Sequence, residues 1–165
     1  MLITGYHGTT EIFAHNILAE GEYHISCGDK EWLGDGIYFY EKFSDAYGWR
    51  PEAEEKRRVL HSVIEVEDRE YFDIDSQEGE KAWGEIIDYI CKSENIELTD
   101  SYQENQCAVC RMLWDANPEI KVLAASFATD KSKIKVLIDK RKRRREFCVR
   151  DNSSIRCTQI IEYYG

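Results

Sequence analysis

The sequence holds only two prolines, Pro51 and Pro118, and has no tract rich in glycine, serine or proline. An interdomain linker has nowhere to sit, so residues 1–165 are expected to form one domain, large enough to close a core without staples. No apolar run approaches the length of a membrane span, and the first residues lack a basic segment followed by an apolar one. The expectation is a cytoplasmic protein with no membrane partner. No internal repeat is visible, which removes solenoids and propellers. Metal chemistry also has little to work with. Cys107-Ala-Val-Cys110 is a lone pair, with no second pair and no histidine at ligand spacing, so no metal is expected. The six cysteines (Cys27, Cys91, Cys107, Cys110, Cys148 and Cys157) sit in a chain that needs no bridges, and reduced thiols are expected.

What is present is charge, unevenly distributed. The net charge is −10, yet residues 65–105 are strongly acidic while 140–145 read Lys-Arg-Lys-Arg-Arg-Arg. An acidic whole argues against a general nucleic-acid coat. One dense basic stretch can still hold a phosphate chain locally, meet an acidic partner, serve as an import signal or be a solvated turn between strands. The sequence leaves these open.

Periodicity divides the chain. Residues 2–9 read as a strand ending in a glycine turn, and Thr9 or Thr10 can cap a helix carrying Ile12, Phe13, Ile17 and Leu18. Gly21 stands where that helix should stop. Trp32 to Glu41 opens as a glycine-spaced loop and becomes a strand, with Tyr38 and Tyr40 on one face and Phe39 on the other. A helix is expected from Phe43 to about Glu55, capped by Ser44 and interrupted by Pro51. Val59–Val66 reads as a buried strand, Ser76–Ser93 as an amphipathic helix and Asn105–Ala116 as a second helix ended by Pro118. Strands follow at 120–128, 134–138, 147–149 and 155–161. Strands early and late with helices between predict an α+β domain on a mostly antiparallel sheet.

Three short motifs stand in an informative order: His7-Gly8-Thr9, then Gly36-Ile37-Tyr38-Phe39 with Ser44 and Trp49, then Glu146-Phe147-Cys148-Val149. In this the chain resembles the ADP-ribosyltransferase superfamily, specifically its diphtheria-toxin and poly(ADP-ribose) polymerase branch. That branch is marked by a histidine, a tyrosine and a glutamate on three separate strands. Val63-Ile64-Glu65-Val66 ahead of Tyr71-Phe72-Asp73 fits the strand after the second motif. The likeness is specific over residues 6–49, looser around Glu146, and poor across 76–118.

The resemblance implies a split, mostly antiparallel fold with helices around an NAD cleft, NAD as substrate and no metal. It also implies roles. His7 would bond a ribose hydroxyl, the backbone of Gly8 would hold the nicotinamide carboxamide with Ser44 in support, Thr9 would belong to the cofactor site, and Tyr38 and Trp49 would stack on the nicotinamide ring. Trp49 stands where the family has tyrosine. Glu146 would hold the ribose 2′-hydroxyl and favour the cation formed as nicotinamide leaves, with His7 and Tyr38 completing the catalytic set. Arg145 and Arg150, beside Glu146 in sequence, would lower its pKa or attract the pyrophosphate. Gln159 and Glu162 compete with Glu146 for the third motif. The expected activity is mono-ADP-ribosyl transfer to a nucleic acid (RNA included) or a protein, in a toxin or defence effector that an antitoxin could restrain. NAD glycohydrolysis and NAD or ADP-ribose binding without turnover are the alternatives.

Overall fold

The computed structural model describes residues 1–29, 31–49, 56–93, 99–128 and 143–161. In chain order its elements are β1 (Leu2–Thr10), α1 (Glu11–Glu20), β2 (Ile37–Tyr40), α2 (Phe43–Tyr47), β3 (Arg57–Glu65), β4 (Tyr71–Asp73), α3 (Gln77–Lys92), α4 (Tyr102–Ala116), β5 (Val122–Ala128), β6 (Arg143–Val149) and β7 (Ile155–Ile161). The strands form one sheet in the order β4-β5-β6-β2-β1-β3-β7. Every neighbouring pair is antiparallel except β4 and β5. This is the α+β architecture the sequence predicts. Among the described residues no helix is long and apolar enough to cross a membrane.

The ladder is uneven, and that unevenness positions the site. β1 pairs with β3 along its whole length, from Leu2 opposite Glu65 to Thr10 opposite Arg57. β2 pairs with β6 from Ile37 opposite Val149 to Tyr40 opposite Glu146. Between β1 and β2, however, only Tyr6 opposite Tyr40 stays in register. The sheet is thus two well-laddered halves joined at a narrow seam.

Two cores flank it. One gathers Ala14 and Ile17 of α1 with Ile37, Phe39, Leu60, Ile64 and Phe147. The other gathers Leu33, Cys110, Leu113, Trp114, Leu123 and Cys148. Phe39 is fully buried while Tyr38 and Tyr40 are half-buried, as the alternation in β2 predicts. Full burial of such a ring contributes about 1.5–3 kcal/mol.

Local signals hold in most places and fail in a few. The Thr10 hydroxyl caps α1, Gly21 ends it, and Ser76 caps α3. The buried stripe of α1 is Ala14 and Ile17, whereas Ile12, Phe13 and Leu18 are exposed. α4 begins three residues before the expected Asn105, because Ser101 caps it by accepting from the Glu104 amide. α2 is a single short turn, Phe43–Tyr47, preceded by Lys42 rather than capped by Ser44. The rest of that expected helix, Pro51 included, and the expected strand at 134–138 lie outside the described residues. All six cysteines are free thiols.

β2 reaches β6 closely because Gly36 has no side chain. A Cβ there would fall on the Cys148 sulfur and 2.8 Å from the Val149 carbonyl oxygen. Gly36→Ala is expected to destabilise the fold by about 1–3 kcal/mol, as overpacking does. Gly84, inside α3 with open space around it, provides the contrast. Gly84→Ala should stabilise by about 0.5–1 kcal/mol, since it removes only backbone freedom. Urea midpoints of the two variants check both signs, and an unchanged midpoint for Gly36→Ala would contradict the tight contact.

Candidate functional site

A cavity of about 550 Å³ opens at the seam, lined by His7, Gly8 and Thr9 of β1, Tyr38 and Tyr40 of β2, and Arg144 and Glu146 of β6. Glu31, Trp32 and Trp49 complete its polar and aromatic wall, and Phe13, Ile17 and His24 its α1 side. Its size suits a small-molecule site.

His7 is placed by the failure of the ladder. Where β1 leaves β2, the Tyr38 carbonyl takes its hydrogen bond from the His7 ring, with Nδ1 at 2.8 Å. Because a carbonyl only accepts, Nδ1 carries the proton. Burial pushes the His7 pKa down against the opposing pull of this bond. The ring is therefore neutral at pH 7, and Nε2 keeps a lone pair able to accept from a hydroxyl. Tyr23 and Phe39 hold the imidazole edge-on and tilted, with centroids 5.1 and 5.8 Å away.

Tyr38 is fixed at its far end. Its hydroxyl accepts from the Leu33 amide at 2.8 Å and donates to the Gly34 carbonyl at 2.6 Å, so the loop before β2 closes over the tyrosine. Burial raises its pKa well above that of free tyrosine. With the hydroxyl engaged, Tyr38 offers the cavity a ring rather than an acid. α4 clamps the same loop: Gln106 donates to the Trp32 carbonyl, Trp114 to the Leu33 carbonyl, and Arg111 pairs with Asp35 at 2.8 Å. Trp32 lies 5.0 Å from the Phe127 ring.

Gly8 lets α2 close onto β1. A Cβ there would fall on the Ala46 carbonyl oxygen and 2.8 Å from the Trp49 Cβ. Trp49 is thereby seated beside the His7 strand, with its indole 36% exposed at the cavity mouth. Ser44, by contrast, is exposed in the first turn of α2 and does not line the cavity.

Glu146 is 3% exposed, so nearly all of its carboxylate has left water. Burial raises its pKa, Glu31 and Asp45 add to the rise, and Arg144 opposes it. The Arg144 Nε and Nη2 both donate to Oε1, at 2.7 and 2.6 Å. This corrects the expectation from sequence, in which Arg145 and Arg150 attend the glutamate and lower its pKa. Arg145 points to the opposite face and pairs with Asp73 and Asp75 at 2.7 and 3.0 Å. Arg150 lies over the Trp114 ring, 5.5 Å from its centroid. The basic run is likewise no simple turn: Arg143 starts β6, Arg144 and Arg145 are ion-paired, and 140–142 lie outside the described residues. Glu146 is the fourth residue of that strand rather than its first.

His7, Gly8, Thr9, Tyr38, Trp49 and Glu146 are therefore brought together, and Ser44 is not. Of the rivals to Glu146, Gln159 is exposed on β7, 3.2 Å from His61, and Glu162 lies outside the described residues. The sequence reading passed over Arg144, Tyr40, Glu31 and Trp32. The signal for Arg144 was its parity, since residues two apart on a strand share a face. Among the described residues no group of histidine, cysteine, aspartate and glutamate side chains is arranged to hold a metal.

No family model and no solved structure matches the chain. A stretch of 58 residues, 35% of the chain, is 45% identical to an uncharacterized protein of Methanocaldococcus jannaschii. The chain spans about a quarter of that relative's length, the match covering 27% of it.

The buried carboxylate makes a prediction with a definite sign. A carboxyl whose folded pKa is raised supports the fold while protonated, below its unfolded pKa, and loses that support as pH rises through the folded value. Glu146→Gln has no such proton to lose. The melting temperature of Glu146→Gln relative to the unsubstituted protein should therefore climb between about pH 4 and pH 8. A flat difference across that range would mean that Arg144 fully compensates the burial.

Proposed function

We propose that the protein is an NAD-dependent mono-ADP-ribosyltransferase acting on a macromolecular acceptor. The observation that carries this reading is the convergence of His7, Tyr38 and Glu146, from three different strands, on one cavity at the seam of the sheet. The residues present fit NAD chemically. A neutral His7 offers Nε2 to a ribose hydroxyl, and Gly8 and Thr9 bring the β1 main chain to the cavity wall beside Trp49. The faces of Tyr38 and Trp49 suit a flat nicotinamide ring, whose stacking on aromatics is favourable.

The reaction breaks the bond between the nicotinamide nitrogen and the ribose anomeric carbon, and the bonding pair leaves with nicotinamide. The anomeric carbon becomes cationic and is captured by the acceptor's nucleophile, whose proton passes to solvent. A carboxylate fixed beside the sugar in a water-poor cavity stabilises that charge without reorganising. Glu146 has this character: it is buried, held by two hydrogen bonds on one oxygen, and faces the cavity. The acceptor is a protein or a nucleic acid, and a toxin or defence role with a restraining antitoxin accords with this chemistry.

The test is incubation with NAD labelled in its adenylate half, together with a cell lysate then split into protein and nucleic-acid fractions. Label is expected in one fraction, with nicotinamide released. Glu146→Gln should lower the maximal rate by about 10²–10³ while leaving NAD affinity nearly intact, because the lost interaction belongs to the transition state. Nicotinamide release with no labelled macromolecule would redirect the reading to NAD glycohydrolysis. Binding with no release would leave only an NAD-binding module.

Trp49→Ala should weaken NAD binding by roughly 1–3 kcal/mol, the scale of a stacked ring. Calorimetric titration with NAD measures it, and an unchanged affinity would remove Trp49 from the site.

A further inference from the structure

We propose that Arg144 is the positioning residue for Glu146, keeping that buried carboxylate ionised and presenting it to the cavity in one fixed orientation. The inference rests on the reading of Glu146 as the charged group beside the reacting sugar. The geometry is specific. Arg144 and Glu146 are two apart on β6 and line the same cavity. The guanidinium donates twice to Oε1, through Nε and Nη2, and these two charge-assisted bonds tether that oxygen more firmly than a single contact does. The guanidinium is itself held, its carbon 4.9 Å from the centroid of the Tyr40 ring, and Tyr40 is the β2 residue directly opposite Glu146. Arg144 thus sits between a carboxylate and an aromatic face, and both restrain it.

The surrounding charges make this contact decisive. From the loop before β2, Glu31 faces the same cavity, and from α2 Asp45 acts on Glu146 with the same sign; both disfavour a second negative charge. His7 of β1 is neutral and gives no help. Tyr40 of β2 is itself pushed up to about 12 and stays protonated. On β5 the residue opposite Glu146 is Ala125, which carries no charge. Arg145 belongs to the other face of the sheet. Arg144 therefore carries the opposing charge that a buried carboxylate needs.

The experiment uses Arg144→Gln and Arg144→Lys in the full chain with two readouts. The first is the carboxyl titration of Glu146 itself, followed by carbon NMR on protein labelled at the glutamate side-chain carboxyl and assigned by its loss in Glu146→Gln. The midpoint should rise by about one pH unit or more in Arg144→Gln and by less in Arg144→Lys, which keeps the charge but not the paired donors. The second is the pH profile of nicotinamide release from NAD. Its acid limb should move up in step, by the same pH shift as the midpoint, so that Arg144→Gln loses more activity than the parent as pH falls from pH 8 to pH 6. An unmoved NMR midpoint overturns the inference, and so does a moved midpoint with an unmoved acid limb. Should Arg144→Gln not fold, Arg144→Met, which also removes the charge and keeps similar bulk, carries the same test, and an unchanged midpoint in it is equally decisive against. A shifted midpoint in a protein that never releases nicotinamide would sink the transferase reading instead, leaving Arg144 as the group that keeps Glu146 charged.

Discussion

The hydrogen bond from the His7 ring to the Tyr38 carbonyl is the contact on which the rest of the site depends. An antiparallel pair that stayed in register would satisfy that carbonyl with a backbone amide and leave no room for a ligand. Here the strands part after Tyr6 and Tyr40, and a side chain takes over the duty of the main chain. The substitution does two things at once. It keeps a half-buried carbonyl satisfied at the edge of an opening, and it fixes the imidazole tautomer, leaving the other nitrogen with a free lone pair.

The second constraint comes from the helical region. α4 is far from the motifs in sequence, yet Gln106, Trp114 and Arg111 all bond the loop that covers Tyr38. Tyr38 in turn bonds that loop at both Leu33 and Gly34. A helix outside the three motifs thus holds the tyrosine in place. A clamp of this kind needs a helix with polar and aromatic groups on one side, which Gln106, Arg111 and Trp114 supply.

Much of the scaffold was legible because its signals are local. Alternation in Tyr38-Phe39-Tyr40, the Thr10 and Ser76 caps and the stop at Gly21 follow from backbone geometry and one or two neighbours. The partners of charged side chains were not legible. Arg145 and Arg150 adjoin Glu146 or nearly so in sequence, but strand parity and the position of Trp114 turn both away. Ser44 stands apart for a related reason: α2 is a single turn seated on Gly8, and Ser44 in it is exposed. The sign of the Glu146 pKa shift was equally hidden, because it is set by how much water the fold removes, and no neighbour in sequence reports that.

The residues of β6 alternate in direction, and the partners of their charges alternate with them: Arg144 and Glu146 face the cavity, and Arg145 faces Asp73 and Asp75. A slip of one position would exchange these sets, turning Arg145 into the cleft and carrying Glu146 out of it to the face that holds Asp73 and Asp75. The strand is zipped on both sides, to β2 from Ile37 to Tyr40 and to β5 from Val122 to Ala128, so neither neighbour tolerates the slip alone. The polarity of the cleft is in this sense a parity code. Pairing enforces it on both edges, and a single inserted or deleted residue between Arg144 and Val149 would invert it.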